Sequence, residues 1–215
     1  MKNTSVTLIK GIAMYTLGAY FCKIILTLFG RIKVYGKDNL PKDDSKGYVI
    51  ACTHTGWVDI LWLGVATMPT QIHYMAKIEL FRKKPIKWLM EKLHAFPVDR
   101  ENPGPSTIKI PRRLIKEGKV VGIFPSGTRS SEDVPLKRGA VTIATHSKAP
   151  IVPAAYVGPN NFKDLLKRVQ PLIIYGEPLV APDHLSKREA MEYLVEKLDE
   201  EMHILQRRLV DVQNK

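Results

Sequence analysis

Short apolar runs alternate with longer helical patterns along most of the chain. The strand-like runs are Tyr48–Cys52, Ile72–Ala76, Phe96–Val98, Val120–Phe124, Ile151–Tyr156 and Leu172–Tyr175. The helical patterns are Trp57–Ala66, Ile86–Leu93, Ile108–Lys116 and Ala140–Ser147. This rhythm is typical of an α/β fold, so we expect a largely parallel sheet flanked by helices. Ligands of such sheets bind beyond the carboxyl ends of the strands.

The C-terminal segment has the pattern of one long amphipathic helix. Ser186 and Glu189 have the spacing of a capping box. Apolar residues then recur at helical spacing at Met191, Leu194, Leu198, Met202, Leu205 and Leu209. We expect this helix to pack against the fold rather than to carry chemistry.

The N-terminal stretch Val6–Phe29 is the most hydrophobic part of the chain, but Lys10 and Lys23 interrupt it. The longest charge-free run, Gly11–Cys22, is short for a membrane span. Within Val6–Phe29, Thr16, Lys23 and Thr27 fall on one narrow helical face, which favours an amphipathic helix lying in the membrane interface. A true span and a buried core helix are the alternatives, and a cleaved signal peptide lacks a clear small-x-small site. Residues 1–30 are therefore predicted to be a membrane-anchoring helical segment and residues 31–215 an α/β domain.

The net charge and the cysteine content limit the classes of binding partner but do not identify one partner. The formal net charge of +12 over 215 residues predicts an anionic partner, such as nucleic acid, a phosphate-bearing substrate or an anionic lipid surface. No basic stripe with interleaved aromatic residues is found, which argues against nucleic acid. The two cysteines, Cys22 and Cys52, lie in apolar runs and indicate neither a disulfide framework nor a metal site.

The first candidate for chemistry is the segment Thr53–Asp59, which follows a strand-like run and opens a helical one. If the chain turns at Gly56, the Asp59 carboxylate can reach back to the His54 imidazole. A carboxylate on one ring nitrogen fixes the tautomer and leaves the other nitrogen as a general base. The plain alternative is that Asp59 caps the helix and His54 is an ordinary loop histidine.

Three further blocks carry polar residues after strand-like runs. Phe124–Ser130 offers close backbone approach at Gly127, hydroxyls at Thr128 and Ser130, and the phosphate-binding fork of Arg129, without P-loop spacing. Lys77 and Arg100 each follow a strand-like run and could meet Arg129 on one anionic group, although solvated surface cations are the ordinary interpretation. In the last block a helix starting near Gly139 leads into a proline-bearing strand, Ile151–Tyr156.

In this order, the four blocks resemble those of the glycerolipid acyltransferase family, specifically its bacterial 1-acyl-glycerol-3-phosphate acyltransferases. The resemblance covers roughly Val49–Tyr156. It implies that His54 is the general base and Asp59 its orienting carboxylate, the H-x4-D pair of the family. It also implies that the acceptor's glycerol phosphate is bound by Lys77, Arg100, Ser126, Gly127, Thr128 and Arg129.

Three positions depart from the usual pattern of that family. Thr53 replaces the common Asn, His94 stands where Gly is frequent, and Ser126 replaces the usual Glu. The missing glutamate affects how Arg129 is held and leaves the His54–Asp59 pair unchanged.

The resemblance implies direct transfer of a fatty acyl group from acyl carrier protein or coenzyme A to 1-acyl-glycerol 3-phosphate. The product would be phosphatidic acid for phospholipid biosynthesis, made without metal, cofactor or covalent acyl-enzyme. We expect a peripheral or monotopic protein on the cytoplasmic face of the cell membrane, attracted to anionic lipid, with no nucleic-acid partner. An acyltransferase for another acceptor, or a noncatalytic module that binds anionic lipid, are the competing hypotheses.

Overall fold

The computed structural model describes residues 20–21, 23–43, 45–99, 102–126 and 133–214 of the chain. Within them, seven strands form one sheet in the order β1-β7-β6-β2-β5-β3-β4. The strands are β1 (Lys33–Tyr35), β2 (Val49–Thr53), β3 (Ile72–Lys77), β4 (Phe96–Val98), β5 (Val120–Ser126), β6 (Ile151–Val157) and β7 (Leu172–Tyr175). The five strands β2–β6 are mutually parallel. The predicted fold class is therefore confirmed.

The helices connect and cover these strands. They are α1 (23–29), α2 (Trp57–Thr67), α3 (Lys84–Lys92), α4 (Ser106–Lys116), α5 (Asp133–Ser147), α6 (Phe162–Leu166) and α7 (Lys187–Gln213). A 3-10 turn, Ile78–Phe81, joins β3 to α3. The predicted capping box starts α7, because the Ser186 hydroxyl accepts from the backbone N–H of Glu189.

Two apolar layers sandwich the sheet, because successive strand residues point to opposite faces. In β2, Ile50 and Cys52 pack on the α2 side, whereas Val49 and Ala51 pack on the side of α4, α5 and α7. Both layers are sealed, and Trp62 of α2 and Leu198 of α7 are almost fully buried. Because both faces of the central strands are covered, these strands are continuous apolar runs rather than alternating ones.

The start of one helix was predicted wrongly, and one short helix was not predicted. The helix expected to start near Gly139 begins at Asp133, so Gly139 lies inside α5. Lys137, in the part of α5 that was not predicted, forms an ion pair with Asp199 of α7. The short helix α6 was not predicted, since five residues are too few to show a helical period.

The direction of the strands fixes the two edges of the sheet. Strands β2–β6 all end at what we call the carboxyl edge. Strand β7 runs antiparallel to β6, and β1 runs parallel to β7. The amino end of β1, just after α1, therefore also lies at the carboxyl edge. None of the helices in the described ranges is long and apolar enough to cross a membrane.

Candidate active site

The segment Thr53–Asp59 leaves the central strand β2 at the carboxyl edge and enters α2. His54 is the first residue after β2. Gly56 is fully extended, with φ −173° and ψ −178°, and Trp57 begins the helix. This extended turn, rather than a continuous helix, brings the side chains of residues 54 and 59 to the same side.

The Asp59 carboxylate is completely buried and accepts several hydrogen bonds from this turn. His54 Nδ1 lies 3.0 Å from Oδ1 and 3.1 Å from Oδ2. The backbone N–H groups of Thr55 and Gly56 donate to Oδ2 at 2.7 and 3.0 Å. The carboxylate therefore caps the first turn of α2 and holds the imidazole at the same time, so the two interpretations of this motif are not exclusive.

This arrangement determines how the His54 ring can act. With its proton on Nδ1 donated to the carboxylate, the lone pair lies on Nε2. The negative carboxylate also stabilises the imidazolium that forms when Nε2 takes a second proton. The ring is about one-third exposed, at 32% of its side-chain surface, whereas Asp59 is sealed off. A substrate can thus reach the imidazole but not the carboxylate.

Two aromatic rings support the imidazole from the sheet. The Phe124 ring lies 4.8 Å from the His54 ring, centroid to centroid, and Tyr74 stacks on Phe124 at 6.1 Å. Gly122 leaves the space that Tyr74 needs, because a Cβ there would lie 3.0 Å from the tyrosine ring. The rotamer of His54 is therefore limited by packing as well as by its hydrogen bond.

The loop after β6 supports the same segment from the other side. The Thr55 hydroxyl donates to Asn160 Oδ1 at 2.7 Å. The Asn160 carbonyl oxygen packs so closely on Gly56 that a Cβ at residue 56 would lie 2.2 Å from it. The backbone N–H of Tyr156 donates to Thr53 Oγ1 at 2.9 Å. Thr53, which departs from the common Asn, thus ties β2 to β6 at the level of His54.

Two buried groups beside the carboxylate remain neutral. Burial raises the pKa of the Cys52 thiol well above its ordinary value, and the Asp59 charge acts in the same direction. Burial likewise raises the pKa of the Tyr156 hydroxyl, with Asp59 again contributing. Because a thiolate rather than a thiol is the nucleophile, Cys52 is not poised to form an acyl-enzyme.

The structure places only part of the predicted cationic pocket. Lys77 is the last residue of β3 and is exposed at the carboxyl edge. Ser126 is the last residue of β5, where its backbone is in register with Thr53. Arg100, Gly127, Thr128 and Arg129 lie outside the described residues.

His94 shows why its position usually holds glycine in the family that the motifs resemble. Its φ is +53°, in the left-handed region that side chains with a Cβ seldom adopt. Histidine tolerates this conformation better than bulkier residues do. The departure at residue 94 is therefore accommodated by the backbone and lies away from the His54–Asp59 pair.

Three supporting residues were not singled out from the sequence, namely Tyr74, Asn160 and Tyr156. Tyr74 and Asn160 are far from residues 53–59 along the chain, and Tyr156 acts through its backbone N–H. The one available signal was Gly56, because a glycine between two motif residues indicates close approach of another backbone.

Comparison with known proteins gives four findings. Residues 31–157 match the acyltransferase family model. A 1-acyl-sn-glycerol-3-phosphate acyltransferase of Bacillus subtilis is 57% identical over 198 residues, covering 91% of this chain and 98% of the relative. A protein of the same name from Streptococcus pneumoniae is 35% identical over 161 residues, covering 74% of this chain and 60% of the relative. The crystal structure of a 1-acyl-sn-glycerophosphate acyltransferase from Thermotoga maritima has a similar fold, with a TM-score of 0.62 at 22% identity, covering 87% of this chain and 77% of that one.

Proposed function

This chain belongs to the acyltransferase family, and we propose that His54 and Asp59 catalyse transfer of a fatty acyl group to the free hydroxyl of 1-acyl-glycerol 3-phosphate. The main support for assigning these two residues is the hydrogen bond between the partly exposed His54 imidazole and the buried Asp59 carboxylate at the carboxyl edge. The reaction is that for which the Bacillus subtilis relative is named. Its product is phosphatidic acid, a precursor in phospholipid biosynthesis.

The chemistry follows from the ring geometry. Nε2 of His54 takes the proton of the acceptor hydroxyl while the oxygen attacks the thioester carbonyl. The tetrahedral intermediate then collapses, the carbon–sulfur bond breaks, and the proton on Nε2 passes to the departing thiolate. Asp59 keeps the proton on Nδ1 and stabilises the transient imidazolium. No covalent acyl-enzyme is required.

The acceptor phosphate is proposed to bind Lys77, Arg100 and Arg129, with the segment Ser126–Thr128 beside it. Support comes from Lys77, which lies exposed at the carboxyl edge, and from β5, which ends beside Thr53. Arginine suits this role because its fork binds phosphate through two hydrogen bonds. Ser126 in place of glutamate leaves one carboxylate fewer near these cations.

The enzyme is proposed to work at the cytoplasmic face of the cell membrane, with residues 1–30 as the anchor. Residues 1–19 and 22 lie outside the described part of the chain. In the described part, α1 leads into β1 at the carboxyl edge, and the Phe29 ring lies 6.5 Å from that of Phe162. Phe21, Ile24 and Leu28 are 62–68% exposed, as expected of a helix that contacts lipid. The acceptor would then stay in the bilayer while acyl carrier protein or coenzyme A delivers the acyl group from the cytosol.

An acceptor panel tests this function. Purified full-length protein is supplied with lysophosphatidate, glycerol 3-phosphate or lysophosphatidylglycerol, each with acyl carrier protein and coenzyme A donors, and products are measured by mass spectrometry. We expect turnover with lysophosphatidate to exceed that with the other acceptors. Turnover of another acceptor without turnover of lysophosphatidate contradicts the proposal.

The phosphate pocket has its own test. Arg129→Ala should raise the acceptor KM by about tenfold or more with a smaller change in kcat, because a charge-assisted bond to phosphate is lost in both ground and transition state. Arg138→Ala, on an exposed position of α5, is the matched control. An unchanged KM in Arg129→Ala excludes that residue from acceptor binding.

A further inference from the structure

We propose that the surface formed by the 3-10 turn Ile78–Phe81 and helix α3 binds an anionic lipid bilayer as a second membrane contact, separate from residues 1–30. We call it the α3 surface, and its members are Ile78, Leu80, Trp88, Leu89, Lys84, Lys87 and Lys92. The inference deepens the proposed membrane association by naming the surface that contacts lipid. It requires no turnover, so it can fail independently of the acyl-transfer reaction.

Helix α3 is unusual in the fold because none of its nine residues is buried. Helices of this length are marginal in water unless an apolar face packs against something. Ile86 and Met90 are half-buried toward the protein. At about 100° per residue, Trp88 points to the opposite side, with Lys84 and Lys92 one turn away on either side of it. Trp88 therefore lies on the outward side of α3 between two lysines, where it is 61% exposed.

The apolar side chains on this surface are large and lie on two consecutive elements, the 3-10 turn and α3. Trp88 is 61% exposed, Leu89 46%, Leu80 41% and Ile78 37%. Contiguous exposed apolar surface marks an interaction site, whereas single exposed residues need no explanation. Tryptophan in particular favours the headgroup level of a bilayer, where its ring is buried and its N–H stays wet.

Charge on the same segment is complementary to anionic headgroups. Residues 77–92 contain six lysines and arginines and two glutamates. The segment is therefore basic, as is the whole chain with its net charge of +12. The Lys92 ammonium lies 5.9 Å from the Trp88 ring centroid, so a cation and the aromatic ring present one joint surface. Basic side chains close to an anionic leaflet are attracted by its negative surface potential.

The α3 surface also has the right position. The 3-10 turn and α3 follow the end of β3, and the carboxyl ends of β3 and β2 lie on the same edge of the sheet. A bilayer that touches the α3 surface therefore faces the edge at which His54 lies. An acidic carrier protein would satisfy the lysines, but the four large apolar side chains favour lipid as the occupant.

Hydrogen exchange of the full-length protein tests the proposal directly. Backbone amides of residues 84–92 are followed by mass spectrometry in buffer, with phosphatidylcholine vesicles and with vesicles containing phosphatidylglycerol. We expect exchange in this segment to slow at least fivefold with the anionic vesicles and much less with the neutral ones. Exchange that is unchanged by anionic vesicles, or already slow in buffer, overturns the proposal.

A paired variant separates lipid from other partners. Trp88→Ser with Leu89→Ser should weaken partitioning into phosphatidylglycerol vesicles at least tenfold. The matched control is Val180→Ser with Val210→Ser, which removes exposed apolar side chains elsewhere and should partition like the wild type. Equal loss in both variants overturns the proposal. So does an unchanged partition accompanied by a raised KM for acyl carrier protein, which identifies a protein-docking surface. Should the Trp88 variant not fold, the exchange measurement on the wild type still decides.

Discussion

The two edges of the sheet each hold a histidine at the end of a central strand, but the surroundings of the two rings differ. At the carboxyl edge, His54 bonds to the buried carboxylate of Asp59. At the amino edge, His73 lies at the start of β3 and is 9% exposed. Its Nδ1 is buried without a hydrogen-bond partner among the described residues.

The surroundings of His73 oppose its protonation overall. Burial, together with the neighbouring His94 and Lys119, lowers the pKa of His73 to about 4. The two imidazole rings are 5.4 Å apart, edge to face. The Glu117 carboxylate favours protonation of His73, but its effect is smaller than that of burial. His73 is therefore a neutral core residue at neutral pH.

The comparison shows that access and a charged partner, rather than burial, make a histidine useful as a base. His54 has both an exposed portion and a carboxylate that stabilises its protonated form. His73 is buried, and burial outweighs the effect of the Glu117 carboxylate. Four sets of variants test this difference between the two histidines and their surroundings.

The largest effect is expected at His54 itself. His54→Ala should lower kcat by about 10²–10⁴-fold, because the general base is lost, with little change in thermal unfolding. His73→Leu should retain turnover close to the wild type. Initial rates of phosphatidic acid formation in vesicles measure both. Substantial activity in His54→Ala shows that the enzyme does not need this base.

Removing the carboxylate comes next. Asp59→Asn should reduce kcat by about 10²-fold or more, because the amide does not hold the active tautomer. It should also destabilise the protein by about 1–3 kcal/mol, since buried backbone donors lose a charged acceptor. Rates and urea unfolding are measured together. Asp164→Asn is the control, because Asp164 accepts from the loop that supports Thr55 but does not touch His54. Equal rate losses in the two variants would remove the special role of Asp59.

A backbone variant tests whether the shape of the turn matters. Gly56→Ala should destabilise the protein by about 1–3 kcal/mol, because the new Cβ collides with the Asn160 carbonyl oxygen. Displacement of the turn should also lower kcat by about tenfold. Gly139→Ala, in α5 with no atom within 4 Å of the new Cβ, should be neutral or stabilise by up to about 1 kcal/mol. Thermal unfolding and rates compare the pair, and a harmless Gly56→Ala contradicts the close approach.

The smallest effect concerns pH at the amino edge. The pKa of His73 is about 4 in the folded protein and near 6.5 in the unfolded chain, so the unfolded state binds the extra proton between these values. Stability should therefore fall as pH drops from about 6.5 toward 4, by up to about 2 kcal/mol at pH 5 from this residue. In His73→Leu this component is absent. Urea unfolding at pH 7 and pH 5 measures the difference, and an identical pH dependence in the two proteins would show that His73 is not buried neutral.

Much of the fold could be predicted from local patterns. The limits of β4 and β7 agree with the apolar runs Phe96–Val98 and Leu172–Tyr175, because a strand that is covered on both faces is apolar throughout. The start of α7 was predicted from Ser186 and Glu189, whose capping box is a local interaction. The start of α5 at Asp133 was not predicted, because residues 133–139 lack a clear apolar period at helical spacing.

In the candidate site, too, local contacts could be predicted from the sequence and long-range contacts could not. The proximity of His54 and Asp59 could be predicted, because a turn of five residues fixes it and Gly56 signals that turn. The contacts of Asn160 with Thr55 and of Tyr156 with Thr53 join residues more than a hundred positions apart. Such pairs leave no periodic trace in the sequence.

Local sequence patterns were sufficient to predict the order of strands and helices along the chain, the location of residues 53–59 at the carboxyl edge, and the reach of the Asp59 carboxylate back to His54. Four features became known only from the three-dimensional structure. They are the order of the strands within the sheet, the antiparallel direction of β7, the packing of Phe124 on His54 and the exposure of Trp88. The physical reason is the range of the interactions. Hydrogen bonds within a turn and helical periodicity act between near neighbours, whereas sheet pairing and burial depend on which distant segments meet.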